Sequence, residues 1–402
     1  MQAVQSPMIP LVAELIRQHP GTISLGQGIA YYGPPQAAID QITQFLAQPS
    51  NHQYQPVHGI PSLIEVIEKK LCQEDGYQTG SGRRVVVTAG SNMGFLNAVL
   101  AITQPGDEIL LQTPYYFNHE MAVTIAGCRA VCVPTDENYQ LQPEQIEAAI
   151  TERTRGIVTV SPNNPTGVVY PPAALKVVNQ LCRERGLYHI HDQAYEYFLY
   201  DGIPPFSLVS LSEGIDHTLS LFSLSKSYGF AGWRIGYMVI PEALFMPILK
   251  IQDTNLICPP VISQYAALGA LQVGSAYCRE RLGSLGAVRQ VALSAFQALG
   301  ERVQIPTAQG AFYFLLRLKT DWPAMAVVEH LIREQRVAVI PGDTFGLESG
   351  EGTCYLRVAY GALDPSTAAE GMGRLVEGLQ HLLVGDPWAY QDPSQYSSHS
   401  CW

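Results

Sequence analysis

Five short polar segments of this 402-residue chain each follow an apolar run, and they contain residue types that can carry charge or hold an anion. Apolar runs between turn signals predict strands, and ligands of open α/β sheets bind beyond the carboxyl ends of the strands. We therefore expect the five segments to lie together at one edge of a sheet. In chain order they are Gly90-Ser91-Asn92, Tyr115-Tyr116, Asn163-Asn164-Pro165-Thr166-Gly167, Asp192 with Tyr195, and Ser223-Leu224-Ser225-Lys226.

Each segment also has a purely structural interpretation when it is taken alone. A Gly-Ser-Asn sequence can cap a helix, Asn-Asn-Pro-Thr-Gly can form a turn, and most lysines are solvated surface charges. Taken together, the segments offer a lysine nucleophile or base, a carboxylate and an anion-binding helix start. The structural interpretation needs several coincidences at once, and we therefore favour a catalytic site.

The elements that must position these segments alternate between short strands and helices. Residues 95–103 have helical spacing directly behind Gly90, so a strand, a glycine turn and a helix start follow one another. Such alternation predicts a mostly parallel sheet with helices on both faces. The predicted strands of this sheet include residues 85–87, 109–111, 157–160, 187–190 and 219–222.

The C-terminal third predicts a second, smaller α+β unit. Its elements are a helix near 284–300, strands near 311–318 and 354–359, and a final helix at 366–383. The fold class is therefore α/β, with a mostly parallel sheet in the large domain. We predict a large domain over residues 45–285, a small domain formed by 1–44 with its lid segment and by 286–385, and a disordered tail at 386–402.

Composition excludes several other classes of protein. The net charge of −11, without a cluster of Lys and Arg, disfavours nucleic acid, and the apolar stretches fall short of the ~18 residues that span a bilayer. The first residues lack the pattern of a secretory signal, so we expect a cytoplasmic protein. The eight cysteines are scattered and the histidines show no metal-ligand spacing, so we expect no metal site.

The order and spacing of the polar segments resemble the class I/II aminotransferases, which are pyridoxal 5'-phosphate (PLP) enzymes of fold type I. The most specific match is Ser223-Leu-Ser-Lys226-Ser-Tyr-Gly-Phe-Ala-Gly-Trp-Arg234, followed by Ser161-Pro-Asn-Asn164-Pro-Thr-Gly. The resemblance extends from Leu25 to Leu383. It implies an enzyme that moves an amino group from an L-amino acid to a 2-oxoacid such as 2-oxoglutarate.

The resemblance implies that Lys226 holds the cofactor as a Schiff base and carries a proton during turnover. Burial and the neighbouring cation Arg234 would have to lower the pKa of this lysine from about 10.4 to near 7. Asp192 would keep the pyridine nitrogen protonated, which makes the ring an electron sink. The other implied cofactor ligands are Asn164 and Tyr195 at the phenolate oxygen, Tyr116 on the ring face, and Gly90, Ser91, Asn92, Ser223, Ser225 and Arg234 at the phosphate.

The same resemblance implies the substrate contacts and an assembly. Arg357 would bind the substrate carboxylate, with Asn164 and the backbone of Gly28 as further contacts. Tyr54 would reach the phosphate bound in a neighbouring subunit, which implies a homodimer. This chain departs from many relatives at Gln193, where they have glutamate, and at Gly28-Ile-Ala-Tyr31, where they have Gly-x-Pro-Asp.

The amino donor is expected to be neutral. Dicarboxylate-specific relatives often place a second arginine at the distal end of the pocket, but residues 253–264 contain neither Arg nor Lys. Tyr31 and Tyr32 instead offer amphipathic rings suited to an apolar, aromatic or amide side chain. We therefore predict aromatic, methionine-like or glutamine-like donors, while aspartate stays possible because a cation elsewhere could bind it.

Three alternatives use the same residues. Ser223-x-x-Lys226 also fits the serine acyl-enzymes, but no Ser-Asp-Asn or Lys-Thr-Gly follows, and no Gly-rich nucleotide motif is present. Relatives within the fold act as C–S β-lyases or other lyases. A non-catalytic PLP-binding sensor is the third alternative, although such regulators usually carry a DNA-binding module for which this chain has no room.

Overall fold

The computed structural model describes residues 4–6 and 8–384, so the predicted tail at 386–402 lies outside the described residues. The chain forms two compact units. The first contains Ile29–Leu282 and Gln309–Ala311, and among the described residues the second contains Ser6–Gly28, Gly283–Ala308 and 312–384. The predicted assignment of the large and small domains stays a prediction.

The helices are α1 (Met8–Gln18), α2 (Gln36–Ala47), α3 (Pro61–Glu74), α4 (Ser91–Ile102), α5 (Phe117–Ile125), α6 (Pro143–Ala148), α7 (Pro172–Arg185), α8 (Leu224–Ser227), α9 (Phe245–Leu256), α10 (Val261–Val273), α11 (Ala276–Phe296), α12 (Ala324–Gln335) and α13 (Pro365–Val384). The strands are β1 (Ile23–Ser24), β2 (Arg83–Thr88), β3 (Glu108–Thr113), β4 (Arg129–Pro134), β5 (Thr154–Val160), β6 (Tyr188–Asp192), β7 (Thr218–Ser223), β8 (Gly236–Pro241), β9 (Val303–Gln304), β10 (Tyr313–Lys319), β11 (Val337–Ala338), β12 (Ile340–Pro341) and β13 (Thr353–Ala359).

The first unit is built on a seven-stranded sheet with the strand order β2-β8-β7-β6-β5-β3-β4. All neighbouring pairs are parallel except those of β8, which runs antiparallel to both β2 and β7. The predicted mostly parallel sheet is therefore confirmed. Since six of the seven strands run the same way, their carboxyl ends share one edge, and β8 begins at that edge.

Both faces of this sheet are covered by helices. Side chains alternate along a strand, and Val85 and Val87 of β2 pack into one apolar cluster while Val86 packs into another. The first cluster includes residues of α3 and α10, and the second includes residues of α4 and α9. Burial on both faces explains why these strands are continuous apolar runs rather than alternating ones.

A polar network lies inside the sheet next to the candidate site. The hydroxyl of Thr159 lies 2.8 Å from His189 Nε2 and 2.7 Å from His191 Nδ1. Burial lowers the pKa of His191 to about 4. It also lowers the pKa of His189 well below the usual value of a histidine. Both rings are therefore neutral near pH 7, and Asp192 follows them at the end of β6.

The second unit contains a four-stranded antiparallel sheet with the order β12-β13-β10-β9 and a short parallel pair, β1 with β11. In β10 and β13, Leu315 pairs with Arg357. Helices α12 and α13 pack together in the same unit. Among residues 8–384, none of the helices combines the length and apolar composition needed to cross a bilayer.

Candidate active site

The sheet edge of the first unit brings together the segments that the sequence singled out. Gly90 follows β2, Tyr116 follows β3, and Asn164 follows β5. Asp192 is the last residue of β6, Ser223 is the last of β7, and Arg234 lies two residues before the start of β8. The strand ends pair in register, with Val160 opposite Asp192 and Ser223 opposite Gly236.

Lys226 lies on α8, a helix of a single turn at the end of β7. Ser223 caps the start of this helix, because its Oγ accepts a hydrogen bond of 3.2 Å from the backbone N–H of Ser225. Ser223 and Ser225 are buried, whereas Lys226 is half-buried. The strand and the cap therefore fix where the lysine side chain leaves the backbone.

Gly90 and Arg234 form a cradle for an anion. Gly90 caps α4 with a φ of 80°, and a Cβ at this position would lie only 2.5 Å from Arg234 Nη2. The positive φ favours glycine at this position, and a side chain here would also force the guanidinium to shift. The first N–H groups of α4 lack partners within the helix, and the helix dipole attracts negative charge. A phosphate group fits this combination of backbone donors and an arginine.

A cleft of about 730 Å³ opens beside this cradle. Ser225 and Arg234 lie in its wall, so two of the predicted phosphate ligands share one cavity. The rest of the wall is mainly apolar and includes Ile29, Ala30, Trp233 and Pro260. In the described part of the chain, His, Cys, Asp and Glu side chains form no group that could hold a metal ion.

Asp192 is buried and paired with a histidine that the sequence analysis missed. His119 Nε2 lies 3.1 Å from Asp192 Oδ2, while the N–H of Ala194 donates to Asp192 Oδ1 at 3.0 Å. The His119 ring stacks on Phe95 with centroids 3.9 Å apart. An ionised carboxylate can only accept, so Nε2 is the donor and the pair holds the carboxylate in one orientation. His119 lies three residues after Tyr116, in the first turn of α5.

Asn164 and Tyr195 come together from two different strand ends. Asn164 Nδ2 donates to the Tyr195 hydroxyl at 3.3 Å, and both side chains are buried. Tyr116 lies at the start of α5, where Asn118 Nδ2 donates to its hydroxyl at 2.7 Å and its ring meets His119 edge-on at 5.1 Å. The ring of Tyr116 is therefore held next to the partner of Asp192.

In the second unit, Arg357 and Gly28 both lie against Tyr313. Arg357 is buried on β13, donates from Nη2 to the carbonyl of Gly26 at 2.6 Å, and lies 4.9 Å from the centroid of Tyr313. A Cβ at Gly28 would collide with the hydroxyl of the buried Tyr313, so a larger residue would require that ring to move. A buried guanidinium next to the backbone of a glycine matches the requirements for binding a carboxylate.

Tyr54 and the tyrosines of the N-terminal segment have contrasting environments. Tyr54 is 79% exposed, so its ring is open to solvent in the single chain. Tyr31 is 39% exposed and meets the ring of Tyr32 edge-on. The Tyr32 hydroxyl is already bound to the backbone of α8, so Tyr31 is the more accessible ring of the pair.

Comparison with known proteins gives one consistent family. The model of aminotransferase class I and II matches residues 20–375. Aromatic aminotransferase ISS1 of Arabidopsis thaliana is 34% identical over 386 residues, which cover 94% of this chain and 94% of that protein. An aspartate aminotransferase of Pyrococcus abyssi is 31% identical, with 90% and 91% covered.

Solved structures agree with these sequence matches. The aromatic aminotransferase of Pyrococcus horikoshii OT3 superposes with a TM-score of 0.83 at 29% identity, covering 92% of this chain and 99% of that one. The resemblance predicted from the lysine and Asn-Pro-Thr-Gly segments is thereby confirmed, together with the α/β fold of fold type I. The chain belongs to the class I and II aminotransferases, and it is a PLP-dependent aminotransferase.

Proposed function

We propose that Lys226 binds the cofactor and that its Nζ takes up and returns the proton at the substrate Cα. When bound, the cofactor supplies an electron-poor ring that accepts the electron pair released at this carbon. Lys226 lies on the single-turn helix α8 directly after Ser225, which lines the same cavity as Arg234, and this position supports the role. A base positioned at the reacting carbon accelerates the proton transfer step.

The carboxylate of Asp192 holds a proton on the pyridine nitrogen in this proposal. Its burial and its bond with His119 favour one fixed orientation, and a carboxylate can stabilise the positive charge that a neutral amide cannot. His119 acts as a positioning residue through Asp192. The pairing of these two side chains at the end of β6 is the observation that supports the proposed site best.

The remaining predicted residues bind and orient. Asn164 and Tyr195 donate to the phenolate oxygen, Tyr116 covers the ring, and Arg357 with Gly28 and Asn164 takes the substrate α-carboxylate. Since Asn164 and Tyr195 already contact each other, a ligand oxygen near both would be bound by two donors. The phosphate would be held by Gly90, Ser91, Asn92, Ser223, Ser225 and Arg234.

We also propose a homodimer in which Tyr54 completes the phosphate site of the neighbouring subunit. Its 79% exposure leaves the hydroxyl available to a second chain. Replacing Tyr54 by phenylalanine is expected to weaken PLP affinity about tenfold, because a hydrogen bond to a charged phosphate is lost. Tyr188→Phe is the matched control, since Tyr188 begins β6 and lies at the end of the strand away from Asp192.

Two measurements test the dimer. Sedimentation velocity is expected to give a particle of twice the chain mass of 44.0 kDa, and fluorescence titration of the apoenzyme gives the PLP affinity. A monomer with full activity would contradict the assembly. Equal PLP affinities of Tyr54→Phe and Tyr188→Phe would contradict the role of Tyr54 alone.

For the amino donor we propose a neutral side chain, aromatic or methionine- or glutamine-like, with a 2-oxoacid as acceptor. Tyr31 offers an accessible ring, and residues 253–264 carry no cation. The relatives point both ways, because they are named aromatic and aspartate aminotransferases. The geometry of the N-terminal segment is therefore the reason for preferring the neutral class.

A donor panel decides this preference. We expect kcat/KM for phenylalanine to exceed that for aspartate at least tenfold with 2-oxoglutarate as acceptor, since an unpaired carboxylate in the pocket costs binding energy. Release of pyruvate and ammonia is followed in parallel to detect lyase turnover. If aspartate is preferred, the proposal is wrong, and Arg281, whose guanidinium lies 5.3 Å from the Tyr32 ring centroid, becomes the cation to replace.

A further inference from the structure

The helix that carries Lys226 cannot stabilise itself. Helix α8 spans only Leu224–Ser227, and the carbonyl of Lys226 receives a long backbone hydrogen bond of 3.5 Å from the N–H of Gly229. Nucleating a single turn is unfavourable, so the position of such a helix depends on groups outside it. Ser223 supplies the cap at the start of the helix. The question is therefore what holds the other end.

Two side chains from distant parts of the chain bind that end. The Tyr32 hydroxyl lies 3.1 Å from the carbonyl oxygen of Lys226 and 3.3 Å from that of Ser227. The thiol of Cys278 donates to the same Ser227 carbonyl at 2.6 Å. The last two carbonyls of α8 thus receive donors from the N-terminal segment and from the first turn of α11.

Tyr32 is itself fixed by its surroundings. Its ring meets Tyr277 edge-on at 5.8 Å, and the Arg281 guanidinium lies 5.3 Å from its centroid. The backbone next to it is confined as well, because Tyr277 donates to the carbonyl of Gly33 at 2.6 Å. A Cβ at Gly229 would lie 2.4 Å from the Tyr32 carbonyl oxygen, so the loop after α8 packs directly against this segment.

The Tyr32 hydroxyl and the Cys278 thiol both stay protonated near pH 7. Burial raises the pKa of the Tyr32 hydroxyl, and the nearby Cys278 adds to the effect. Burial likewise raises the pKa of the Cys278 thiol. A protonated hydroxyl and a protonated thiol can donate to carbonyls, whereas a phenolate or thiolate could not.

We propose that Tyr32 and Cys278 form a side-chain cap on α8 and act as positioning residues for Lys226. The inference rests on the proposed role of Lys226, and it adds two residues that bind backbone carbonyls at the end of α8, Tyr32 those of Lys226 and Ser227 and Cys278 that of Ser227. The cap holds the carbonyls at 226 and 227, while Ser223 holds the opposite end. Lys226 therefore extends from a helix that is fixed at both termini.

The test removes each donor without removing the side chain. Tyr32→Phe and Cys278→Ala are each expected to lower kcat about fivefold while the KM for the amino donor changes less than about twofold, because one hydrogen bond is lost behind the reacting group. Cys278→Ser keeps a donor and is expected to restore kcat to within about twofold of the wild-type value. Tyr265→Phe is the matched control, since its hydroxyl binds Asn51 at 2.8 Å and not α8.

Hydrogen exchange of the holoenzyme measures directly how much the cap stabilises α8. The amide of Tyr228 bonds to the carbonyl of Leu224 at 3.1 Å, so its exchange reports on α8. Peptides covering 224–229 are expected to exchange about fivefold faster in Tyr32→Phe than in Tyr265→Phe. Equal exchange and equal kcat in these two variants would overturn the cap.

The cap on α8 and the proposed role of Lys226 can fail independently of each other. A Lys226→Ala enzyme that retains turnover would remove the proposed function itself. If Lys226→Ala is inactive while Tyr32→Phe and Cys278→Ala behave like the control, only the cap is wrong. A Cys278→Ser enzyme as slow as Cys278→Ala would show that shape, and not the hydrogen bond, is what position 278 supplies.

Discussion

Replacing Lys226 by alanine should lower kcat by at least about 10⁴-fold, because the substitution removes both the group that binds the cofactor covalently and the base at the substrate Cα. The visible absorbance of the lysine-bound cofactor should disappear at the same time. The fold should persist, since Lys226 is half-buried and α8 keeps its cap at Ser223. Far-UV circular dichroism and thermal unfolding check the fold.

Lys250→Ala provides the control for this experiment. Lys250 is an exposed residue of α9, so its loss changes the charge without touching the sheet edge. Addition of a small primary amine to Lys226→Ala should recover part of the single-turnover rate, because the amine can replace the missing base. Near wild-type turnover by Lys226→Ala would show that another group performs the chemistry.

The sheet-edge site was predictable because its residues follow apolar runs. Strands buried on both faces, such as β5 and β7, leave a clear signal, and the polar residues after them must lie at one edge. Strand β4 gave no such run, since it lies at the edge of the sheet and most of its side chains are partly or fully exposed. Helix α11 begins eight residues before its predicted start at 284, where Gly283 and Gly286 weaken the helical pattern.

The partners of the catalytic residues were harder to predict. His119 contacts Asp192 across 73 positions in the chain, and Tyr32 contacts Lys226 across 194. Such contacts depend on how α5 and the N-terminal segment pack, which the pattern along a single segment does not contain. Cys278 gave no signal either, because a scattered cysteine has the same pattern whether it fills a core or donates to a carbonyl.

Replacing Asp192 by asparagine should leave the cofactor bound but lower the rate of the half-reaction with amino donor by about 10³-fold or more. Asparagine has nearly the same shape, so its one oxygen can still accept from the N–H of Ala194, and its NH2 group can donate to His119 Nε2 in the other tautomer of that ring. What is lost is the negative charge that stabilises a proton on the pyridine nitrogen. His119→Asn should cost much less, about tenfold, since it alters only the orientation of a carboxylate that stays in place.

Single-turnover kinetics with phenylalanine, followed through the cofactor absorbance, separate these effects from product release. Asp253→Asn, at an exposed position of α9, controls for the change in net charge. The dependence of the single-turnover rate on pH distinguishes the two variants. Asp192→Asn should stay slow across the pH range, because the amide does not titrate. His119→Asn should keep the wild-type pH profile at a lower rate. If Asp192→Asn reacts as fast as Asp253→Asn, the carboxylate at the end of β6 is not the partner of the ring nitrogen, and the cofactor orientation proposed for this edge is wrong.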